Sequence, residues 1–210
     1  MAGMDWLEWH LRYDDPASSL SARLAVVRRR IGQALDDLGP RCRQVVSLCA
    51  GDGRDLLPAL AVRPALVPDV LLVELDPSLA RDAAENAAGL GLAGVLVAEA
   101  DAGDTAVVAD ALPADLLLLC GIFGNVVDAD IRATLAATPG MVAPGGYVVW
   151  TRGWFEHPDL RPQVRRWSLE AGLEEVAYDG EPARYGVGLY RRPADSAPTP
   201  LPDRLFTFVR

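Results

Sequence analysis

The chain has 210 residues, enough for one domain with a sizeable core, and half of these residues are hydrophobic. This composition argues against disorder, and the low aromatic content of 7% favours helices packed on a parallel sheet over an all-β sandwich. The net charge of −9 disfavours binding to nucleic acid, because such binding depends on neutralising phosphates.

The N-terminal part, residues 1–40, is predicted to be helical and to end at Gly39-Pro40. Apolar residues recur there at helical spacing on one face: Leu20, Leu24, Val27, Ile31 and Leu35. The basic cluster in the same segment is expected to be the solvated side of this helix: Arg28, Arg29 and Arg30, with Arg23 upstream.

After residue 44, apolar runs typical of buried strands alternate with helical segments. The predicted strands are 45–49, 70–75, 94–101, 115–121 and 147–151. The predicted helices are 54–62, 76–88, 104–112, 128–137 and 161–172. Two further β segments, 174–179 and 205–210, flank a Pro-rich loop over 192–203 and suggest an antiparallel strand near the C-terminus.

This order predicts an α/β fold with a doubly wound, mostly parallel Rossmann-like sheet and an antiparallel strand at the C-terminus. The chain is expected to divide into an N-terminal helical segment, 1–44, and a core, 45–210. Ligands of such sheets bind outside the carboxyl ends of the strands, so the residues that follow each strand are the candidate site.

Four of these strand ends carry residues suited to a nucleoside. Ala50-Gly51-Asp52-Gly53 form a tight turn that lets a ligand approach the backbone. Glu74 lies 21 residues beyond Gly53, where an acid can accept hydrogen bonds from ribose hydroxyls. The third and fourth strands end at Asp101-Ala102 and at Cys120-Gly121.

These segments resemble class I methyltransferases that depend on S-adenosylmethionine (SAM). The resemblance is carried by VVSLCAGDGRDLL, LLVELDPSLARDAAENA, AEADAGD, LLLLCGIFGNV and APGGYVVWTR, which together cover residues 45–152. It extends to a group of bacterial methyltransferases of unknown substrate. It implies that SAM is the cofactor and that it is bound by Cys49, Ala50, Gly51, Asp52, Gly53, Glu74, Leu75, Asp101, Ala102, Cys120 and Gly121.

The sequence departs from the family pattern at two positions. Ser47 stands where the first strand usually carries an acid, and Cys49 replaces the first glycine of the loop. Asp52 either substitutes in part for the missing acid near the SAM amino group or is a solvated loop residue.

Two alternative functions use a similar fold. A nicotinamide-dependent oxidoreductase requires a third glycine where this chain has Leu56, which disfavours that reading. The second alternative, a protein that binds SAM without transferring its methyl group, is compatible with the sequence.

On the substrate side, His10 and His157 are the candidate catalytic bases, with surface or packing roles as the alternative. His10 lies among Trp6, Trp9 and Tyr13, a cluster that either forms a lid or packs behind the sheet. We expect a small-molecule acceptor, methylated on oxygen or nitrogen. No Asn/Asp-Pro-Pro-Tyr element follows the fourth strand, which disfavours methylation of DNA bases.

The compartment is predicted from the cysteines and the N-terminus. Cys42, Cys49 and Cys120 have neither the spacing of a metal site nor that of a disulfide framework, and no signal peptide or membrane-spanning run is visible. A cytoplasmic protein without a metal is expected, and homo-oligomerisation is left open.

Overall fold

The fold is seen in a computed structural model that describes residues 15, 18–154 and 158–209. The helices are α1 (Ser19–Leu38), α2 (Leu57–Ala61), α3 (Pro77–Gly89), α4 (Asp128–Met141) and α5 (Arg161–Glu170). The strands are β1 (Gln44–Leu48), β2 (Asp69–Glu74), β3 (Val95–Glu99), β4 (Ala114–Leu119), β5 (Val142–Gly153), β6 (Glu174–Asp179) and β7 (Tyr185–Arg191). Short 3₁₀ helices cover Gly39–Arg41 and Thr105–Ala111.

The strands form one sheet in the order β3-β2-β1-β4-β5-β7-β6. Strands β1 to β5 run parallel, whereas β7 is antiparallel to both β5 and β6. The chain leaves β3 at one edge and resumes at β4 beside β1, so the order reverses between β1 and β4. The prediction of a doubly wound, mostly parallel sheet with an antiparallel C-terminal strand is therefore confirmed.

The position of the antiparallel strand was predicted wrongly. Residues 205–209 form no strand and contribute only an isolated bridge between Val126 and Phe208. The strand is β7, whose apolar pattern is interrupted by Gly186 and Gly188. A Cβ at Gly188 would lie 2.5 Å from the Trp150 ring. The aromatic side chains packed over β7 thus require glycine at these positions. The same glycines interrupt the apolar pattern by which β7 would be recognised in the sequence.

The sheet is covered on both faces. Val46 and Leu48 of β1 point into a core shared with α4 and α5, and Val45 points into a second core shared with α1, α2 and α3. Helix α1 begins after Ser18, whose hydroxyl accepts the Ser21 N–H at 3.0 Å, as an N-cap does.

The predicted solvated face of the first helix agrees with the structure at Arg28 and Arg29, which are exposed, whereas Arg30 is half-buried. Arg29 and Arg30 both pair with Asp179. The parts of the prediction that fall on residues 1–14, 16 and 17 lie outside the described residues. Over the ranges that are described, no helix is both long enough and apolar enough to cross a membrane.

Candidate functional site

A cavity of about 450 Å³ opens where the parallel strands β1, β2, β3 and β4 end. Every residue predicted to bind the cofactor lines it except Gly53: Cys49, Ala50, Gly51, Asp52, Glu74, Leu75, Asp101, Ala102, Cys120 and Gly121. The walls are mostly apolar with a few converging polar groups, as in small-molecule sites. The cavity lies at the point where the strand order reverses, where open α/β sheets bind their ligands.

The loop after β1 adopts backbone conformations that favour glycine. Cys49, Gly51 and Gly53 have φ values of 56°, 58° and 75°. A left-handed conformation costs a residue with a Cβ roughly 1–2 kcal/mol, so Cys49 is held there under strain. This φ value explains why the family pattern has a glycine at the position that Cys49 occupies.

Gly53 has a packing role. A Cβ on Gly53 would lie 2.6 Å from Cδ1 of Leu57 and 3.3 Å from Cδ1 of Leu72. The structure therefore places Gly53 beneath the loop, between α2 and the sheet, while Gly51 faces the cavity.

Glu74 joins the end of β2 to this loop. Its Oε2 accepts the N–H of Gly51 at 2.8 Å, and its Oε1 accepts those of Leu75 and Asp76 at 2.9 and 3.0 Å. A carboxylate has about four acceptor positions, so about one is left for a ligand hydroxyl in this conformation. The strand end that lines the cavity is thus fixed by the same side chain that was predicted to bind ribose.

Asp101, beyond β3, is bound by two donors. Its Oδ1 accepts the Gly103 N–H at 2.8 Å, and its Oδ2 pairs with Nη1 of Arg204 at 2.9 Å. Burial alone raises the pKa of Asp101, but the Gly103 N–H and the Arg204 guanidinium outweigh burial and lower it. Asp101 therefore carries a negative charge at the cavity wall.

The C-terminal segment contributes a wall that the sequence analysis missed. Leu205 donates its N–H to the Gly103 carbonyl at 2.8 Å, and Val209 donates to the Asn125 carbonyl at 2.9 Å. These bonds hold the Phe208 ring at the cavity, 5.4 Å from the ring of Phe206. The segment LFTFV has the apolar alternation that predicts a strand, whereas its backbone bonds in the structure go to loops.

Helix α1 forms another part of the cavity wall, with Arg23, Leu24 and Val27. The expectation that Arg23 belongs to the solvated face was wrong, because its exposed fraction is only 7%. Its position three residues after Leu20 and four before Val27 places it on the apolar stripe, which is the signal that could have identified it.

Two aspartates of the glycine loop differ in their partners. Asp52 forms a two-pronged ion pair with Arg54, whose Nε and Nη2 lie 2.7–2.9 Å from its carboxylate oxygens. Asp55 is buried, and its Oδ1 has no hydrogen-bond partner. Burial is the main cause that raises the pKa of Asp55 to about 6, and the charge of Asp52 adds to it. The sequence pattern indicates Asp52 as a candidate and gives no signal for Asp55.

The cysteines at the cavity are poor nucleophiles. Burial raises the pKa of the Cys49 and Cys120 thiols well above the usual value, and it raises that of Cys42 to about 12. Protonated thiols neither attack nor ligate metals readily. Among the residues that the structure describes, no group of His, Cys, Asp and Glu side chains is arranged to hold a metal ion.

His10 and His157, the predicted bases, both lie outside the described residues. Phe123, which follows β4, is fully buried with its ring 6.3 Å from that of Trp150. It belongs to the core and does not line the cavity.

Solved structures with the same fold include several methyltransferases. Magnesium protoporphyrin IX methyltransferase from Synechocystis, with bound SAM, superposes with a TM-score of 0.68 over 90% of this chain and 92% of that one, at 10% identity. An RNA methyltransferase from Salinibacter ruber, with bound S-adenosylhomocysteine, gives 0.55 over 85% and 96%, at 22% identity.

An O-methyltransferase family protein from Burkholderia thailandensis gives a TM-score of 0.66 at 19% identity over 84% of this chain. The aligned part is 57% of the Burkholderia protein, so this chain spans little more than half of that protein's length. No curated protein sequence matches the chain.

A family model described as "Putative methyltransferase" matches residues 19–167, which contain α1, the glycine loop and the first five strands. This match covers most of the cavity wall and confirms the resemblance found in the sequence. The chain belongs to this methyltransferase family.

Proposed function

We propose that the chain transfers a methyl group from SAM to a small molecule. The observation that carries this proposal is the cavity at the sheet's reversal point, where Glu74, the Gly51 backbone and Asp101 converge. The family match and the SAM-bound neighbours of the same fold support it.

The residues present suit the parts of SAM. Glu74 retains acceptor capacity for the ribose, and Gly51 has no side chain to block a ligand from the loop. Asp101 and Ala102 border the region next to Phe208, where a planar base fits against an aromatic ring.

Bound SAM supplies a methyl group already activated by its positively charged sulfonium. The protein's task is therefore to align the two reactants and to exclude water. Leu24 and Val27 of α1 provide apolar wall for this purpose. His10 and His157 stay predictions for the residue that accepts a proton from the acceptor.

We further propose that the segment before α1 closes the cavity as a lid. The segment leads into the half of α1 that borders the cavity. Its sequence carries three aromatic residues and a histidine within eight positions: Trp6, Trp9, His10 and Tyr13. The aromatic side chains of such a lid suit an acceptor that is partly apolar. The net charge of −9 suits an acceptor that is cationic.

Two neighbours of the same fold are associated with small molecules, whereas another is an RNA methyltransferase. One neighbour, an O-methyltransferase family 2 protein from Planctomyces limnophilus, was crystallised with apigenin, and another is named for magnesium protoporphyrin IX.

Titration calorimetry with SAM, S-adenosylhomocysteine and NAD tests the proposal. We expect the two adenosyl compounds to bind and NAD not to bind. Incubation with SAM and a panel of phenols, amines and carboxylic acids should release S-adenosylhomocysteine with at least one acceptor class. Absence of adenosyl binding would overturn the proposal, and binding without turnover across the panel would favour a SAM-binding protein that does not transfer the methyl group.

A further inference from the structure

The C-terminal strap, residues 199–209, crosses the rim of the cavity and lies outside the part of the chain that the family model matches. Of the described residues that line the cavity, Phe208 alone falls beyond residues 19–167. The family range therefore does not supply this piece of the wall, and the strap adds it.

The middle of the strap is fixed to the core of the protein. The Thr199 hydroxyl accepts the Gly140 N–H of α4 at 3.1 Å, and the Thr134 hydroxyl of α4 donates to the Leu205 carbonyl at 2.9 Å. The side chains of Leu205 and Phe206 are only 2% exposed. These contacts bring the end of the strap to a defined place at the rim.

Two glycines inside the matched range make room for the strap. A Cβ at Gly103 would collide with the Phe206 carbonyl, and a Cβ at Gly140 would collide with the Thr199 carbonyl. The loop after β3 and helix α4 are thus shaped to receive a segment that lies outside the family range.

The end of the strap stands between the loops that follow β3 and β4. Val209 donates its N–H to the Asn125 carbonyl at 2.9 Å, and Thr207 donates its N–H to Oδ2 of Asp130 at 3.0 Å. Between these two bonds, the half-buried Phe208 ring forms part of the cavity wall.

Arg204 joins the strap to the wall on the β3 side. Its Nη1 lies 2.9 Å from Oδ2 of Asp101, which lines the cavity, and 3.3 Å from the carbonyl oxygen of Phe206. The Arg204 and Asp101 side chains are 48% and 43% exposed. The ion pair is therefore open to screening by salt.

We propose that the C-terminal strap retains the cofactor by placing the Phe208 ring against its base, and that Arg204 is a positioning residue that holds the strap there through Asp101. This inference rests on the proposed function and extends the cofactor site to a segment beyond the family range. Stacking on an aromatic ring suits the base, because the base is the planar part of SAM.

The first test uses S-adenosylhomocysteine and 5′-methylthioadenosine, which carry the same base. Calorimetry should show that Phe208→Ala weakens the binding of both ligands by the same factor of about tenfold, as expected for a lost stacking contact. Phe208→Tyr keeps the ring and should bind both ligands like the wild type. The matched control is Val209→Ala, since Val209 belongs to the strap but has a 58% exposed side chain that does not line the cavity.

The second test concerns Arg204 and uses 5′-methylthioadenosine, which carries no net charge. Arg204→Gln should weaken its binding by about twofold to fivefold at low salt, the range for an exposed ion pair. The wild-type affinity should fall toward that of the variant as the salt concentration rises. Arg132→Gln is the control, because Arg132 forms an exposed pair with Glu170 that joins α4 and α5; it should change neither the affinity nor its salt dependence.

Thermal unfolding checks the fold of every variant, and Phe208→Leu replaces Phe208→Ala if the alanine variant does not fold. Wild-type affinity in the folded alanine or leucine variant, or an equal loss in Phe208→Tyr, would overturn the inference and leave the proposed function standing. A difference between the wild type and Arg204→Gln that does not change with salt would remove the role of Arg204. If the wild-type protein binds neither ligand, the proposed function itself fails.

Discussion

The Glu74 carboxylate accepts the backbone N–H of Gly51 at 2.8 Å, and this bond joins the end of β2 to the glycine loop. One side chain thereby shapes the loop and faces the ligand cavity. Its removal must affect folding as well as binding.

We expect Glu74→Ala to weaken SAM binding by about tenfold or more and to lower the free energy of unfolding by about 1–3 kcal/mol, since three backbone donors lose their acceptor. The loss of stability could not be predicted from the sequence, because these backbone bonds are not visible in it. Calorimetry and urea unfolding measure the two effects. Glu99→Ala is the control, because Glu99 pairs in register with Glu74 but is exposed and outside the cavity. Wild-type affinity for SAM in Glu74→Ala would refute the assignment of Glu74 as a cofactor-binding residue.

Substitutions of the two loop glycines are predicted to affect different properties, SAM binding at Gly51 and stability at Gly53. Gly51→Val should abolish SAM binding in a protein that still folds, because Gly51 faces the cavity at a φ of 58°. Gly53→Val should mainly lower stability, since its Cβ would meet Leu57 at 2.6 Å. Binding curves and thermal unfolding of the two variants provide the comparison, and normal SAM binding by Gly51→Val would show that the loop is only a turn.

The raised pKa of Asp55 predicts a pH-dependent stability difference. Its pKa of about 6 in the folded protein lies above the ordinary aspartate value of 3.8, so between these pH values the folded protein holds a proton that the unfolded chain has released. The ionised form therefore destabilises the free protein at neutral pH, by up to about 3 kcal/mol, and this penalty disappears as the pH falls from 6 to about 4.

Asp55→Asn removes the charge while keeping the shape. In the absence of ligand, we expect it to be more stable than the wild type at pH 7 to 8 and about equally stable near pH 4. Unfolding in urea across this range measures the difference. A difference that does not change with pH would mean that Asp55 ionises normally.

The lid proposal predicts that the N-terminal segment is needed for turnover and not for folding. Removal of residues 1–15 leaves the Ser18 cap of α1 in place. The shortened protein should unfold at nearly the same temperature and bind SAM, while methyl transfer to an identified acceptor collapses. Unfolding or aggregation of the shortened protein would instead assign the aromatic residues to the core. A Trp6→Ala, Trp9→Ala double variant is the companion test.

The sequence predicted the ends of β1 and β2 to within one residue because these ends depend on local patterns, whereas β5 extends beyond its predicted range of 147–151 on both sides. Apolar runs that stop at glycine or an acid mark buried parallel strands, and β1 and β2 end where these patterns end. Asp76-Pro77 predicts the start of α3, and the structure shows Asp76 accepting the N–H groups of Ser78 and Leu79.

Contacts between distant parts of the chain could not be predicted in this way. The Arg204 side chain pairs with Asp101, which lies 103 positions earlier in the sequence. Phe208 lies at the cavity because Leu205 and Val209 form backbone hydrogen bonds with loop residues. Asp55 looks like an ordinary helix-start acid in the sequence, and only the fold shows that it is buried without a donor for Oδ1. Periodicity reports which face of an element is apolar, and it carries no information about which loops meet.

The strand order also has a consequence for the growing chain. Within the described part of the chain, β6 pairs in the sheet with β7 alone, and the ribosome makes β7 later. Until residue 191 has emerged, the hydrogen-bonding edge of β5 stays uncovered beside parallel strands that are already complete. Strands β6 and β7 are neighbours in sequence, so they can form a hairpin within microseconds and add to that edge as one unit. An open edge of this kind pairs readily with other chains, so the nascent protein is most prone to aggregate in the interval between the synthesis of β5 and the arrival of this hairpin.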